Sequence, residues 1–256
     1  MSRIELLTIL SFIAQGHTFR LWVYDRIATP LPSHGLQLAD ATSIIPAAEV
    51  FSYRKANKYG HGKGSYGGFS DIFRYKLLYE HGGWWVDMDV TCLKPLNFPE
   101  PYFFRPHHEL PMVGNVMKCP KGSALMLACY EQAKKEVTEE NTDWHKPIEI
   151  LNHYVFHYQL QEYIFNPISN EDKWSDLKKL ISRDVPVPAH YFVIHWMNEE
   201  WRSRKIDKND VRYGGVLGKL MQQYGLLEVP SSRWRLFTHN FRHSVWIPVY
   251  ENLLKT

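Results

Sequence analysis

Two aspartates, Asp87 and Asp89, follow the apolar run Trp84-Trp85-Val86 with one residue between them. Carboxylates at i and i+2 after a strand can turn to one side and share a hard divalent cation. A cation held by only two carboxylates keeps open positions, and those suit the oxygens of a diphosphate. Sixteen residues before Asp87 stands Asp71, with Arg74 three further on, so both lie on one helix face and reach the same ligand. An acceptor beside a planar donor fork suits the hydroxyls of a sugar. Taken alone, Asp87 and Asp89 also read as a solvated turn. Asp71 and Arg74 alone read as an N-terminal charge complementing the helix dipole and an i,i+3 ion pair.

The elements that must position these residues can be traced along the chain. Ile4, Leu7, Leu10 and Ile13 recur at helical spacing and Gly16 stops them. His17 to Tyr24 alternates as a strand, whereas Pro30 to Pro46 is loop-like and the glycines at 60, 62, 64, 67 and 68 make a flexible connection. Ser70 and Asp71 are good residues to open a helix, which runs through Leu78 and stops at Gly82-Gly83. Trp84-Trp85-Val86 is then a short strand that delivers Asp87. Further strands are expected near 101–105, 112–119 and within 185–196, with helices near 123–136, 147–161 and 210–224. Helices alternating with strands imply an α/β fold with a mostly parallel sheet.

Composition narrows the function classes. The chain has 256 residues, enough for one large domain, and 45% hydrophobic residues exclude a disordered tail or a coiled coil. Thirty basic against 27 acidic residues give +3, which argues against nucleic acid as a partner. Three cysteines without a C-x-x-C pattern read as reduced buried thiols of a cytoplasmic protein. No apolar run approaches 18 residues, so no transmembrane segment is expected. Glu5 and a poor cleavage site argue against a signal peptide at 4–14. His153 and His157 share a helix face, but no Glu follows His153 as a zinc-protease motif requires.

The segment from Ser70 to Asp89 closely resembles the DxD block of the DxD-motif sugar-binding glycosyltransferases. These include initiating α-1,6-mannosyltransferases, α-1,4-galactosyl- and N-acetylglucosaminyltransferases and, more distantly, the glucosylating bacterial toxins. Ser70, Asp71, Arg74, Gly82, Gly83, Asp87 and Asp89 all match that pattern, and Lys94-Pro95-Leu96 fits it. More weakly, Met112-Val-Gly-Asn115 is similar to a later strand bearing Asn, and Ile194-His195-Trp196-Met197-Asn198 to a late His-x-Trp-Asn segment. The resemblance implies a GT-A-like fold for nucleotide-diphospho-sugars, with the strand that normally opens it expected to be lacking here.

It also implies the roles. Asp87, Asp89 and Arg74 would be catalytic. Ser70, Asp71, Arg74, Trp85, Asp87 and Asn115 would bind the donor, and Asp87, Asp89 and His195 would hold Mn²⁺ or Mg²⁺. Residues 1–256 would form one glycosyltransferase domain, with 1–130 binding the nucleotide-sugar and a helical 131–256 closing over the acceptor. The expected reaction is retaining transfer of a hexose to a glycan or lipid-linked glycan in polysaccharide synthesis. UDP-sugars are the first donor and GDP-mannose the second. The site would work from the cytoplasm, with peripheral membrane association allowed. Two rivals stand beside this reading: a non-catalytic nucleotide-sugar binder, and a haloacid-dehalogenase-type phosphatase using Asp87 and Asp89 in Asp-x-Asp-x-Thr91.

Overall fold

Ser2 caps the first helix, α1 (Arg3–Ala14): its hydroxyl accepts from the Ile4 N–H while Glu5 reaches back to the Ser2 N–H. The computed structural model describes residues 1–228, 230, 232 and 234–242. Strand β1 (Phe19–Val23) follows and pairs in parallel with β2 (Leu36–Asp40), Phe19 opposite Leu36 and Val23 opposite Asp40. β2 lies inside the stretch expected as loop. Its residues are half-buried or exposed throughout, so little hydrophobic pattern announces it.

Helix α2 (Gly67–His81) begins three residues before Ser70, because the Ser65 hydroxyl already accepts from the Gly67 N–H at 3.1 Å. It ends at Gly82, whose φ of 68° lets the chain reverse; a Cβ there would meet the Lys121 nitrogen at 2.4 Å. The strands β3 (Gly83–Val86), β4 (Val90–Cys92), β5 (Phe103–Arg105) and β6 (Val113–Cys119) come next. After them run α3 (Ala124–Glu136), α4 (Lys146–His157), α5 (Trp174–Ser182), β7 (Val193–His195), α6 (Asn198–Ser203) and α7 (Val216–Gln223). A last helical stretch covers 234–242. α5 was not expected, and the strand sought within 185–196 is only three residues long.

The strands form three small sheets, β1-β2, β3-β6-β5 and β4-β7. The α/β class stands. The pairing, however, is mixed: among the described residues β1-β2 is parallel, while β3-β6, β5-β6 and β4-β7 are antiparallel. The expected mostly parallel sheet is corrected on that point. β5 and β6 are joined by a loop without a helix, and such a connection reverses the chain. β7 returns from the far end of the sequence and runs against β4, setting His195 opposite Val90.

Three buried clusters hold these layers together. One joins α2 to α3 and α4 through residues such as Phe73, Leu78, Met126 and Leu151. A second packs Ile4 and Leu7 of α1 against Leu177, Trp196, Trp201 and Leu217. The third lies under the strands, around Phe103, Val90, Val116 and Val193. Two of the clusters thus combine residues from both sides of position 130, and the third does so through Val193 and Ile168. Cys92, Cys119 and Cys129 are buried free thiols. Among the described residues no helix is long and apolar enough to cross a membrane.

Candidate active site

The strand β3 and the helix before it bring Asp71, Arg74 and Asp87 to one wall of a cleft of about 1410 Å³. Arg74 is the centre of this wall and is buried, 5% exposed. Its Nη1 lies 3.2 Å from Asp71 Oδ1 and its Nη2 donates to Asp87 Oδ1 at 2.9 Å. The Trp85 indole N–H donates to the same Asp87 oxygen at 2.7 Å, and the guanidinium lies 5.1 Å over the Trp85 ring. Trp85 and Asp87, two apart, project to one side. Gly114 makes the packing feasible, since a Cβ there would stand 2.4 Å from Arg74 Nη1.

Burial pushes the Asp71 carboxyl up, and although Arg74 opposes this and Asp87 adds to it, the result is about 6. Burial also works against the Arg74 cation, but Asp87 and Asp71 outweigh it and raise its affinity for the proton. Asp71 and Arg74 thus form a buried acceptor and donor pair rather than the exposed ion pair that the spacing alone allows.

On the other side, the β4-β7 ladder extends past its ends: the Trp196 N–H donates to the Asp89 carbonyl at 2.8 Å. That register sets the His195 ring beside Asp89, with Nε2 3.4 Å from Oδ2, although they stand 106 positions apart in the sequence. Met197 takes a left-handed conformation, φ 55°, and the Asn198 N–H that follows donates to Asp89 Oδ2 at 2.6 Å. Burial disfavours the Asp89 anion, yet His195 and this N–H hold the carboxyl below its usual range. The other ring nitrogen, Nδ1, lies 2.7 Å from Asp172 Oδ1. Burial disfavours the imidazolium too, but Asp89 and Asp172 outweigh it and lift His195 to about 10.

The His195 cation therefore contributes stability in the metal-free protein. Its folded value lies above the unfolded value of 6.5, so the contribution is complete below about pH 6.5 and lost as pH rises through about 10. Thermal melts in chelator should fall more steeply between about pH 7 and 10 for the native protein than for His195→Gln. Parallel slopes would show that His195 is not the bridging cation.

The remaining expected residues divide. Ser70 and Asn115 both line the cleft. The Asn115 carbonyl accepts the Asp87 N–H at 2.8 Å, while its side-chain oxygen is turned to Arg105 at 3.3 Å. Among the described residues no three His, Cys, Asp or Glu side chains stand together as a ready metal site. Asp89 and His195 are brought together, whereas the hydrogen bonds to Asp87 Oδ1 draw that carboxylate toward Arg74 and Trp85. The Thr91 hydroxyl is buried and accepts from the Trp196 indole N–H at 2.7 Å. That places the third residue of Asp-x-Asp-x-Thr in the core and counts against the phosphatase reading. His153 and His157 stack on α4 with ring centroids 6.1 Å apart and, among the described residues, join no metal cluster.

Two charged residues, the buried Arg105 and the half-buried Asp172, were not expected from the sequence. Arg105 closes β5, and Asp172 precedes α5; Arg105 Nη1 and Nη2 donate to Asp172 Oδ2 and Oδ1 at 2.7 and 2.9 Å. A charge ending the aromatic run Phe103-Phe104 was the available signal, because a buried guanidinium demands a carboxylate. Nothing in the polar stretch 169–173 marked Asp172 as that partner.

Residues 40–104 match the family described as the glycosyltransferase sugar-binding region containing a DXD motif. This part of the chain is therefore similar to the glycosyltransferase sugar-binding regions of the DxD type, and the α/β fold around it is consistent with the expected GT-A-like architecture. No curated protein and no solved structure matches the chain.

Proposed function

We propose that the protein is a metal-dependent, retaining hexosyltransferase that takes its sugar from a nucleotide-diphospho-sugar, UDP-sugars first and GDP-mannose second. The carrying observation is the Asp71–Arg74–Asp87 chain on one cleft wall, inside the matched region, with Asp89 and His195 beside it. The donor set fits Mn²⁺ or Mg²⁺. Asp89 Oδ2 and His195 Nε2 are 3.4 Å apart, and two ligands of one ion at bond lengths near 2.1 Å sit about 3 Å apart. Hard carboxylate oxygens with one imidazole suit such a cation.

The residues then divide the work. Asp89, His195 and Asp87 would hold the metal, which supplies neutralisation of charge on the departing diphosphate. Asp71 and Arg74 present an acceptor and a donor fork to the sugar hydroxyls, and Ser70 and Asn115 complete that side. Trp85 walls the pocket and fixes the Asp87 carboxylate through its indole N–H. The region 1–130 carries the donor side and 131–256 closes the cleft toward a glycan or lipid-linked glycan acceptor, in surface polysaccharide synthesis at the cytoplasmic face. The part of that closing region beyond 242 lies outside the described residues.

A panel of UDP- and GDP-sugars, with and without Mn²⁺, tests this by thermal shift and by release of the nucleoside diphosphate. A native-state ligand at 100 times its Kd raises stability by about 2.7 kcal/mol. We expect one UDP-hexose to do so only with metal and to be turned over. Binding without transfer or hydrolysis of any donor would reduce the protein to a nucleotide-sugar binder. Absence of metal-dependent binding across the panel would end the proposal.

A further inference from the structure

We infer that Arg105 and Asp172 are positioning residues that lock the His195 ring so that its Nε2 faces Asp89. This deepens the metal site proposed above and rests on it. Arg105 is 2% exposed and stands where the β5-β6 register shifts, Phe104 opposite Met117 but Arg105 opposite Val113. Such irregularities re-aim side chains next to working sites. All five guanidinium N–H groups have acceptors: Nε on Ser169 Oγ, Nη1 on Asn115 Oδ1 and Asp172 Oδ2, Nη2 on the Asn170 carbonyl and Asp172 Oδ1.

Asp172 Oδ1, gripped by this fork, also takes the His195 ring at Nδ1, 2.7 Å away. In the metal-free imidazolium both ring nitrogens carry hydrogen; an ionised carboxylate only accepts, so Asp172 keeps the Nδ1 hydrogen, and Nε2, facing Asp89, is the nitrogen that would give up its proton to take a metal. A carboxylate behind a ligating imidazole fixes both its tautomer and its direction. The main chain is clamped as well, since Asn170 Oδ1 accepts the His195 N–H at 2.9 Å and Asn170 Nδ2 donates to the His195 carbonyl at 3.0 Å. Asn170 is itself tied to Arg105 through its carbonyl, at 2.7 Å.

The same guanidinium reaches the other half of the site. Asn115, which it holds at 3.3 Å, accepts the Asp87 N–H on its carbonyl. One buried cation thus ties the DxD segment to the late histidine, which are far apart in the sequence. His107 Nε2, 3.5 Å from Asp172 Oδ2, flanks the pair from the cleft side. An ion pair serving the core alone would need neither the ring contact nor the link to Asn115.

The test measures Mn²⁺ affinity in the presence of UDP, by electron paramagnetic resonance, without any turnover. Asp172→Asn should weaken Mn²⁺ by about 10- to 100-fold, the scale for loss of such a supporting contact. In a His195→Ala background the same change should have no further effect. Because Asp172→Asn leaves the Arg105 charge buried with no counter-ion and can cost the fold, Arg105→Gln/Asp172→Asn, which removes both charges, is measured beside it. The native protein gives a third reading: with Mg²⁺ and UDP, ¹⁵N shifts of the His195 ring should place the proton on Nδ1.

Unchanged Mn²⁺ affinity in either folded variant, or a proton on Nε2, would overturn the positioning role while leaving the metal site intact. If the native protein binds no Mn²⁺, the metal reading itself falls, and this inference with it.

Discussion

Asp89→Asn should abolish Mn²⁺-dependent UDP binding and lower turnover by about 10²- to 10³-fold, the range for removing one preorganised charge-stabilising group. The Asp89 carboxylate is 5% exposed, accepts the Asn198 N–H at 2.6 Å and faces His195 Nε2 at 3.4 Å. These partners keep it below the usual carboxylate range despite burial, so it is an anion at neutral pH. Asparagine has the same shape, and its amide oxygen can still accept from Asn198. What disappears is the negative charge, and a neutral amide is a much poorer ligand for a hard cation. His195 keeps Asp172 as its remaining counter-ion, so the chelated variant should melt as a folded protein. Calorimetric titration of Mn²⁺ with UDP, beside a melt in chelator, separates the two effects. Native Mn²⁺-dependent affinity in the variant would remove Asp89 from the metal site.

The legibility of this site follows the range of the interactions that build it. Asp71, Arg74 and Asp87 lie within seventeen residues, on one helix, one turn and one strand, so local spacing alone brings them together. Gly82 was readable for the same reason: only a residue free to adopt φ 68° against the Lys121 backbone allows that turn. His195 was found by resemblance, because its place beside Asp89 depends on the register of β7 against β4. No local pattern encodes that register.

Arg105 and Asp172 were missed for a related reason. Each looks ordinary in its own segment, a strand end and a polar loop, and only the pairing of the two explains how the Arg105 charge can be buried. The strands misjudged, β2 and β4, are an exposed edge and a three-residue piece, too short or too polar for hydrophobic alternation to register. Sheet direction was mistaken because helix–strand alternation speaks to element order, whereas β4-β7 pairs strands a hundred residues apart.

Arg74→Lys should reduce kcat/KM nearly as much as Arg74→Ala, by about 10²- to 10³-fold in each. The argument begins with geometry. Arg74 spans two carboxylates at once, Asp71 at 3.2 Å and Asp87 at 2.9 Å, and its guanidinium carbon lies 5.1 Å from the centre of the Trp85 ring. The slot is tight: a Cβ on Gly114 would stand 2.4 Å from Nη1, so any side chain there displaces the guanidinium. A lysine ammonium supplies the charge but not the planar fork, and one nitrogen cannot hold both carboxylates in place. The two variants differ in stability instead. Alanine leaves the buried Asp71 and the half-buried Asp87 without their cation, a loss of up to about 3–5 kcal/mol, whereas lysine keeps the charge and the fold. Lysine is therefore the informative substitution.

Gly114→Ala is an independent check, because its methyl would meet Nη1 at 2.4 Å and push the fork aside without altering any charge. It should lower turnover in the same direction at a near-native melting temperature. Displacements of about 1 Å in such a site are worth up to about 10²-fold. Near-normal turnover in the lysine variant would assign Arg74 to holding the helix against the strand, and the donor would have to be gripped by Asp71, Ser70 and Asn115 alone.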